Sequence, residues 1–465
     1  MATSVNDIHS ELNETFVAAV VAVDSLRSVG EAIRRAGTEQ LPVAIAGGRH
    51  AMGGQQFCRD GVLLDTRRLD AVIGLDSERG TVEVESGIHW LALIDYLERA
   101  QVGAAEKLGI AQKQTGADRL SIGGALAANV HGRGLAMRPI VSDVESFVLV
   151  EADGEAITCS REENQDVFRL AIGGYGLLGC VYSVRLRLRP RRVLERVVEV
   201  VPVDALVPMF EQRIADGFLY GDFQFATDER TDDFLRRGVF ACYRPVDSDA
   251  PPPGGQRALS SDDWRRLLYL AHVDKGRAFA EYSAHYLATS GQLYYSDAHQ
   301  LADYTDGYHA QLDAALGTPH RSTEMISELY VPRARLADFL EAVATEFRRE
   351  RTSLIYGTIR LIERDDETFL AWATEPWACV IFNLCITHTD DGVARARAAF
   401  RGLIDLAIER GGSYYLTYHR WARRDQIETC YPQLPEFLRR KREHDPAERF
   451  QSEWYRHYAQ MFADA

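Results

Sequence analysis

Four glycines fall within the eight residues Gly47-Gly48-Arg49-His50-Ala51-Met52-Gly53-Gly54, just after an apolar run ending at Ala46, with a histidine among them. Glycines leave backbone N–H groups unobstructed, and several such groups around a turn form a concave anion site able to hold phosphates. A second run of small residues extends through Ser121-Ile122-Gly123-Gly124-Ala125-Leu126-Ala127-Ala128-Asn129-Val130-His131-Gly132-Arg133-Gly134. It lets a flat ring or a phosphate approach the main chain closely. A third, Gly174-Tyr175-Gly176-Leu177-Leu178-Gly179, has the form G-x-G-x-x-G. That fingerprint works when a strand precedes the glycines and a helix follows, so that pyrophosphate meets the helix N-terminus. Here a helix precedes and a strand follows, so the Rossmann reading is rejected. Each run alone also reads as a tight turn. Three of them between strands in one half of an acidic chain are hard to explain that way.

Periodicity gives the elements that must position these runs. Residues 25–36 read as an amphipathic helix, 42–46 as a buried strand running into glycines, and 62–65 as a short apolar strand. Residues 81–86 alternate as a strand, and 89–100 return to helical period. Segments 146–151 and 156–159 flank the turn Ala152-Asp153-Gly154, a hairpin signal. A helix over 165–172 precedes the third glycine run, and a strand over 180–188 follows it. The Pro-rich segment 247–256 reads as an exposed loop. Residues 415–462 read as a strand, a stop at Tyr431-Pro432 and two helices. Composition shifts at Arg191, so the expected division is 1–190, an inserted domain over 191–414, and a segment 415–465 that returns to the first domain.

At 465 residues the chain is too long for one compact core. Apolar residues make up 46% and charged residues 26%, an ordinary globular balance. A net charge of −15 argues against nucleic acid or anionic lipid as main partner. No signal pattern opens the sequence and no apolar run reaches the roughly 18 residues of a membrane helix, so a cytoplasmic protein without an integral membrane segment is expected. The seven cysteines include no C-x-x-C and suit neither zinc nor a disulfide frame. They read as core thiols, and no metal site is expected. Nothing in the sequence specifies an oligomeric state.

The order GGRHAMGGQ, SIGGALAANVHG and GGYGLLGCVYSVRLRLRP resembles the vanillyl-alcohol oxidase/p-cresol methylhydroxylase superfamily of FAD enzymes. The ending YHRWARRDQIETCYPQLPEFLRRKREHDPAERFQSEW is similar to that of its sugar-, polyol- and lactone-oxidising branch. The resemblance covers residues 15–190 and 415–460 well and the middle loosely. It implies an α+β fold: a bipartite FAD-binding domain of two α+β subdomains, and an α+β substrate (cap) domain with an antiparallel sheet. It implies FAD as cofactor, lined by Ala46, Gly47, Gly48, Arg49, His50, Ala51, Met52 and Gln55, by Ser121, Gly123, Gly124, Ala128, Asn129 and His131, and by Gly174, Gly176, Gly179 and Val181.

Further roles follow from the same resemblance. His50 sits where many members bond the flavin 8α methyl covalently, although glycine usually precedes it and here Arg49 does; the alternative is a histidine that only hydrogen-bonds the pyrophosphate. The loop 113–122 has no cysteine for a second link. Asn129 and His131 match an element near the flavin, and His131 either contacts flavin or substrate or holds its own loop. For oxidation, an alcohol carbon presents its hydrogen to flavin N5 while a base takes the hydroxyl proton. Tyr418 falls where some relatives carry a catalytic lysine, and His419 is adjacent. If the pair lies on a strand, only one of them faces the substrate. Arg360 and Asn383 fall nearest the pocket-lining positions of polyol oxidases, with a cap-domain salt bridge as the alternative for Arg360.

The function implied is oxidation of an alcohol group on a small carbohydrate-like molecule, with oxygen or a quinone- or dye-like acceptor. Val130, stiff at χ1, sits where small residues admit oxygen, which favours the second acceptor. A flavin-dependent reductase of a carbon–carbon double bond is the alternative activity, and a binding protein that has lost its chemistry is a third reading.

Overall fold

The structure is a computed structural model that describes residues 2–247, 251–301 and 307–463. Helix Leu26–Thr38 begins at Ser25, whose side chain accepts from the Ser28 N–H while Ser28 reaches back, a reciprocal cap. Its Val29, Ile33 and Ala36 repeat at helical spacing and are buried in a cluster with Val43, Val62 and Leu64. They cover a three-stranded parallel sheet ordered Ala19–Ala22, Val62–Asp65, Val43–Ala46. The central strand Val62–Asp65 is buried throughout, as a parallel strand requires.

A second, antiparallel sheet of six strands is built on Cys180–Pro190. That strand pairs with Val144–Val150, Thr81–Glu85 and Leu108–Ile110. Strand Val144–Val150 turns at residues 152–154 into Ala156–Ser160, with Gly154 at φ +81°, so the hairpin forms where its turn residues placed it.

The third sheet has eight antiparallel strands, with Trp377–Thr387 flanked by Leu354–Ile362 and Ser322–Pro332 near its middle. Helices Leu336–Glu350 and Asp390–Ile408 bury Phe339, Phe347, Phe400 and Leu403 in the main core. Helices Ser261–Val273 and Lys275–Leu287 contact the strands too, and between them and the sheet lies open space. The fold is α+β with antiparallel sheets.

Three expectations are corrected. The second small-residue run contains a helix, Ile122–Ala128: Ser121 caps its start, and Asn129 ends it at φ 49°. Asparagine tolerates that left-handed position better than most residues. The tail carries three helices rather than two, Arg424–Cys430, Leu434–His444 and Glu453–Met461, because Gln426 Oε1 accepts from the Arg423 N–H and caps a short one before the Pro432 stop. The tail strand is only Ser413–Tyr414, so Tyr418 and His419 lie in a turn. The loop 247–256 is largely exposed where described, with 248–250 outside the described residues.

The tail binds back onto the first sheet. The Val43 N–H donates to the Arg449 carbonyl at 2.7 Å, and the Gln451 N–H donates to the Val43 carbonyl at 3.0 Å. Among the described residues no helix is long and apolar enough to cross a membrane.

Candidate functional site

Strand Val43–Ala46 delivers the first glycine loop to the edge of the parallel sheet, against the second and third runs. A cavity of about 180 Å³ opens between them. Its wall takes every residue from Ala46 to Met52 and Gln55, then Gly123, Gly124, Ala128 and Val130, then Gly176, Gly179 and Val181. Glycine is required at position 47, where a Cβ would come 2.2 Å from the Ser121 Oγ. Gln55 ties the loop to the tail: its Nε2 donates to the Thr417 carbonyl at 2.7 Å, and its Oε1 accepts from the Gly53 N–H at 3.0 Å. Ser121, Asn129 and Gly174 stand off this wall. Ser121 caps the helix. Asn129 donates to Asp365 at 2.9 Å and accepts from the Val141 N–H, and Gly174 packs against the Leu170 carbonyl.

His50 is on the wall, and its Nε2 has no aligned hydrogen-bond partner although the Arg119 carbonyl is near. Its Nδ1 lies 2.8 Å from His9 Nε2. Burial, and then the neighbouring His9, push the ring down to about 3, so it is neutral with a lone pair at physiological pH. Backbone N–H groups without side chains, a cradle that a Cβ would fill and an unsatisfied neutral imidazole together fit a dinucleotide bound through its phosphates.

A larger cavity of about 710 Å³ lies under the helices Ser261–Val273 and Lys275–Leu287. Its other wall is one face of the eight-stranded sheet. Strand register pairs Asn383 with Tyr356 and Ile326, Ile381 with Thr358 and Glu328, and Cys379 with Arg360 and Tyr330. Residues paired across strands share a face, so side chains far apart in sequence converge. The two cavities meet at His9, Met52, Gln114, Ile326 and Tyr418.

At that junction lies a buried polar cluster in which His131 and Tyr418, both singled out from the sequence, meet Glu328, which sequence reasoning missed. Glu328, 1% exposed, accepts from Tyr418 at 3.1 Å and from Tyr330 at 2.7 Å, and it meets His131 Nε2 at 2.7 Å. The His131 Nδ1 faces the Gly132 carbonyl at 3.0 Å. Burial alone would raise the Glu328 carboxyl, but His131 and the Tyr330 hydrogen bond hold it below its ordinary value, so it is ionised. Burial and Glu328 together raise the Tyr418 phenol well above its ordinary value. Cys379 lies 3.4 Å from the same carboxylate. His131, Glu328 and Cys379 have metal-ligand chemistry, but Glu328 and His131 stand at hydrogen-bond separation and the carboxylate already takes both tyrosine donors.

His131 is thus held beside Tyr418 rather than on the smaller cavity's wall. Arg360, 3% exposed, lines the larger cavity with its Nε and Nη1 unpartnered. Asn383 lines it too; its Nδ2 donates to Glu324 and its Oδ1 has no partner. His419 lines neither cavity; its ring stacks on Trp421 with centroids 4.2 Å apart and planes 12° apart. No sequence pattern marks Glu328, because its partners lie 90 and 197 positions away.

A family described as an FAD binding domain matches residues 17–160. The chain is 29% identical to mouse L-gulonolactone oxidase over 168 residues, 36% of each protein. It is 24% identical to the L-gulono-1,4-lactone dehydrogenase of Mycobacterium tuberculosis over 440 residues, 94% of this chain and 95% of that enzyme. It is also 26% identical to cytokinin dehydrogenase 3 of Arabidopsis thaliana over 281 residues, 57% of this chain and 49% of that one.

Proposed function

This protein is an FAD-linked oxidoreductase, and we propose that it oxidises a CH–OH group of a carbohydrate-like molecule such as a sugar, polyol or lactone. The observation that carries the reading is Tyr418, which borders both cavities and hydrogen-bonds an ionised, buried carboxylate. In this reading residues 1–190 and 415–465 hold the cofactor and 191–414 close over the substrate.

Bound FAD supplies the hydride acceptor; the chain's own residues handle the proton. A phenol whose pKa lies well above its ordinary value does not ionise to a free tyrosinate near neutral pH. Tyr418 therefore takes the substrate hydroxyl proton as it passes its own to Glu328 Oε2, and no free tyrosinate forms. His131 and Tyr330 keep Glu328 ionised and oriented. Asn383 Oδ1 and Thr358 Oγ1 are both buried and unpartnered; the amide oxygen accepts from a substrate hydroxyl, and the threonine hydroxyl donates to or accepts from one. His50 anchors the flavin covalently, supported by its neutral ring and unpartnered nitrogen. Val130, 4% exposed on the cofactor wall, leaves little room for oxygen, so the acceptor is quinone- or dye-like.

The test is anaerobic flavin bleaching of the yellow holoenzyme against sugars, polyols and lactones. At least one should bleach the flavin, and admitting air should reoxidise it more slowly than an artificial acceptor does. A panel that leaves the flavin oxidised, with reduced enzyme discharged by an activated alkene, would overturn alcohol oxidation. Rapid reoxidation by air with stoichiometric peroxide would overturn the acceptor.

A further inference from the structure

The wall of the larger cavity carries guanidiniums that its carboxylates do not match. Arg133, Arg196 and Arg360 all line it, and the first and last are more than nine-tenths buried. The carboxylate among them is Asp222, 3% exposed and 3.8 Å from Arg133 Nη1. Among the described residues, no carboxylate lies within ion-pair distance of Arg196 or Arg360. Arg196 rests on neutral groups: it donates to the Tyr243 and Thr289 hydroxyls, each at 3.0 Å, and lies over the Tyr294 ring at 4.4 Å. Glu328, which Arg360 approaches, has its oxygens occupied by His131, Tyr330 and Tyr418. The neighbouring Lys113 brings its own counter-ion, Asp118, at 2.5 Å.

Of the three guanidiniums only Arg133 therefore has a carboxylate within ion-pair distance, and donors remain unused: Arg360 Nε and Nη1, and Arg133 Nε. A buried cation is normally paired or bound to a ligand, because stripping water from an uncompensated charge is unfavourable. Guanidinium is also the side chain whose planar donor set matches carboxylate and phosphate oxygens.

We propose that Arg133, Arg196 and Arg360 form an anion subsite in this cavity, and that the substrate carries a carboxylate or phosphate beside the hydroxyl that is oxidised. This rests on the alcohol-oxidation reading and narrows its substrate from neutral sugars to sugar acids or sugar phosphates. The guanidiniums hold the anion, and the hydroxyl to be oxidised reaches Tyr418, which lines the same cavity.

The test titrates oxidised holoenzyme with inorganic phosphate and, separately, with sodium gluconate, following the flavin absorption spectrum at ionic strength held constant with chloride. One or both should perturb the spectrum saturably while chloride does not. Binding of phosphate alone assigns a sugar phosphate, and binding of gluconate alone assigns a sugar acid. Arg360→Gln and Arg133→Gln should each weaken the binding at least about tenfold, with Arg360→Lys recovering part of it, since charge-assisted contacts are the strong ones. Flavin content verifies the fold of each variant, and the wild-type titrations decide the matter if a variant does not fold. Absence of saturable binding in wild type, or undiminished binding in both Gln variants, overturns the subsite. If anions bind but no alcohol bleaches the flavin, the oxidation reading fails and the subsite stands. If a neutral sugar bleaches it with a KM untouched by phosphate and by Arg360→Gln, the subsite fails and the oxidation reading stands.

Discussion

The two cavities are built from opposite materials. The smaller draws much of its wall from glycines, alanines and main chain in three short stretches that follow strands or a helix, beside larger side chains such as His50, Met52 and Tyr175. The larger takes its polar wall from single side chains on several strands, brought together only by sheet register. A backbone site needs particular residues missing their side chains over a short stretch, and it leaves a motif. A side-chain site needs one residue from each of many strands, and it leaves none. The first suits a cofactor common to many proteins, and the second is free to differ with the substrate.

The sharpest way to test that contrast is to alter one side chain in the larger site. Tyr418→Phe should slow flavin reduction by roughly 10²–10⁴, the range for a positioned proton-transfer group, without loss of bound FAD. Glu328→Gln should fall in the same range, whereas His419→Ala should reduce at a near-normal rate, because its ring is stacked on Trp421 away from both cavities. Stopped-flow reduction of each variant checks this; a normal rate in Tyr418→Phe would move the proton route elsewhere. The pH profile follows from the same pair. Glu328 must be ionised and its pKa lies below the ordinary value, so activity is lost only as pH falls through that depressed value. The Tyr418 phenol stays protonated into alkaline solution. The reduction rate should therefore be flat from about pH 5 to 9, and a step near neutrality would point to a different acceptor of the proton.

His50→Ala addresses the cofactor side, with a smaller effect on rate. Wild-type flavin should stay with the polypeptide through acid precipitation, while the variant releases it yet still binds FAD through the glycine loops. Release of free FAD from wild type would remove the covalent link and leave the loops as the whole anchor.

The same contrast accounts for what the sequence reveals. Helix Leu26–Thr38 and strand Val62–Asp65 fall within two residues of their expected bounds, since each carries its own periodicity and, for the helix, its own cap. Helix Ile122–Ala128 escapes notice because IGGALAA has no polar face and its glycines read as turn residues. The turn at Tyr418 reads as strand because YYLTY is rich in aromatic and β-branched residues, yet pairing stops after the Tyr415 N–H donates to the Glu328 carbonyl, and the chain turns over 416–417 while the Tyr415 phenol donates to the Ala128 carbonyl. Glu328 sits in ISELYVP, a plain buried strand, and only the pairing of Ser322–Pro332 with Trp377–Thr387 shows what surrounds it.

The smallest effect concerns Arg49, a large charged side chain within the first glycine loop of the cofactor cavity. Its φ is +59°, the left-handed region where glycine is at ease and an arginine is strained by roughly 1–2 kcal/mol. Relief of that strain in Arg49→Gly is offset by the extra freedom glycine gives the unfolded chain, about 0.4–1 kcal/mol. The apoprotein should therefore melt within a degree or two of wild type, on the upper side if on either. The guanidinium lines the cofactor cavity with its Nε unpartnered, and burial is the main influence lowering its pKa, with Arg67 adding to it and Asp65 opposing. Such a group is retained against its strain if it meets the cofactor's phosphates. Measured in the His50→Ala background, where flavin exchanges freely, Arg49→Gly should weaken FAD binding by about tenfold, one charge-assisted contact's worth. An unchanged FAD affinity would show that even here the main chain alone holds the phosphates, and the contrast between the two cavities would be complete.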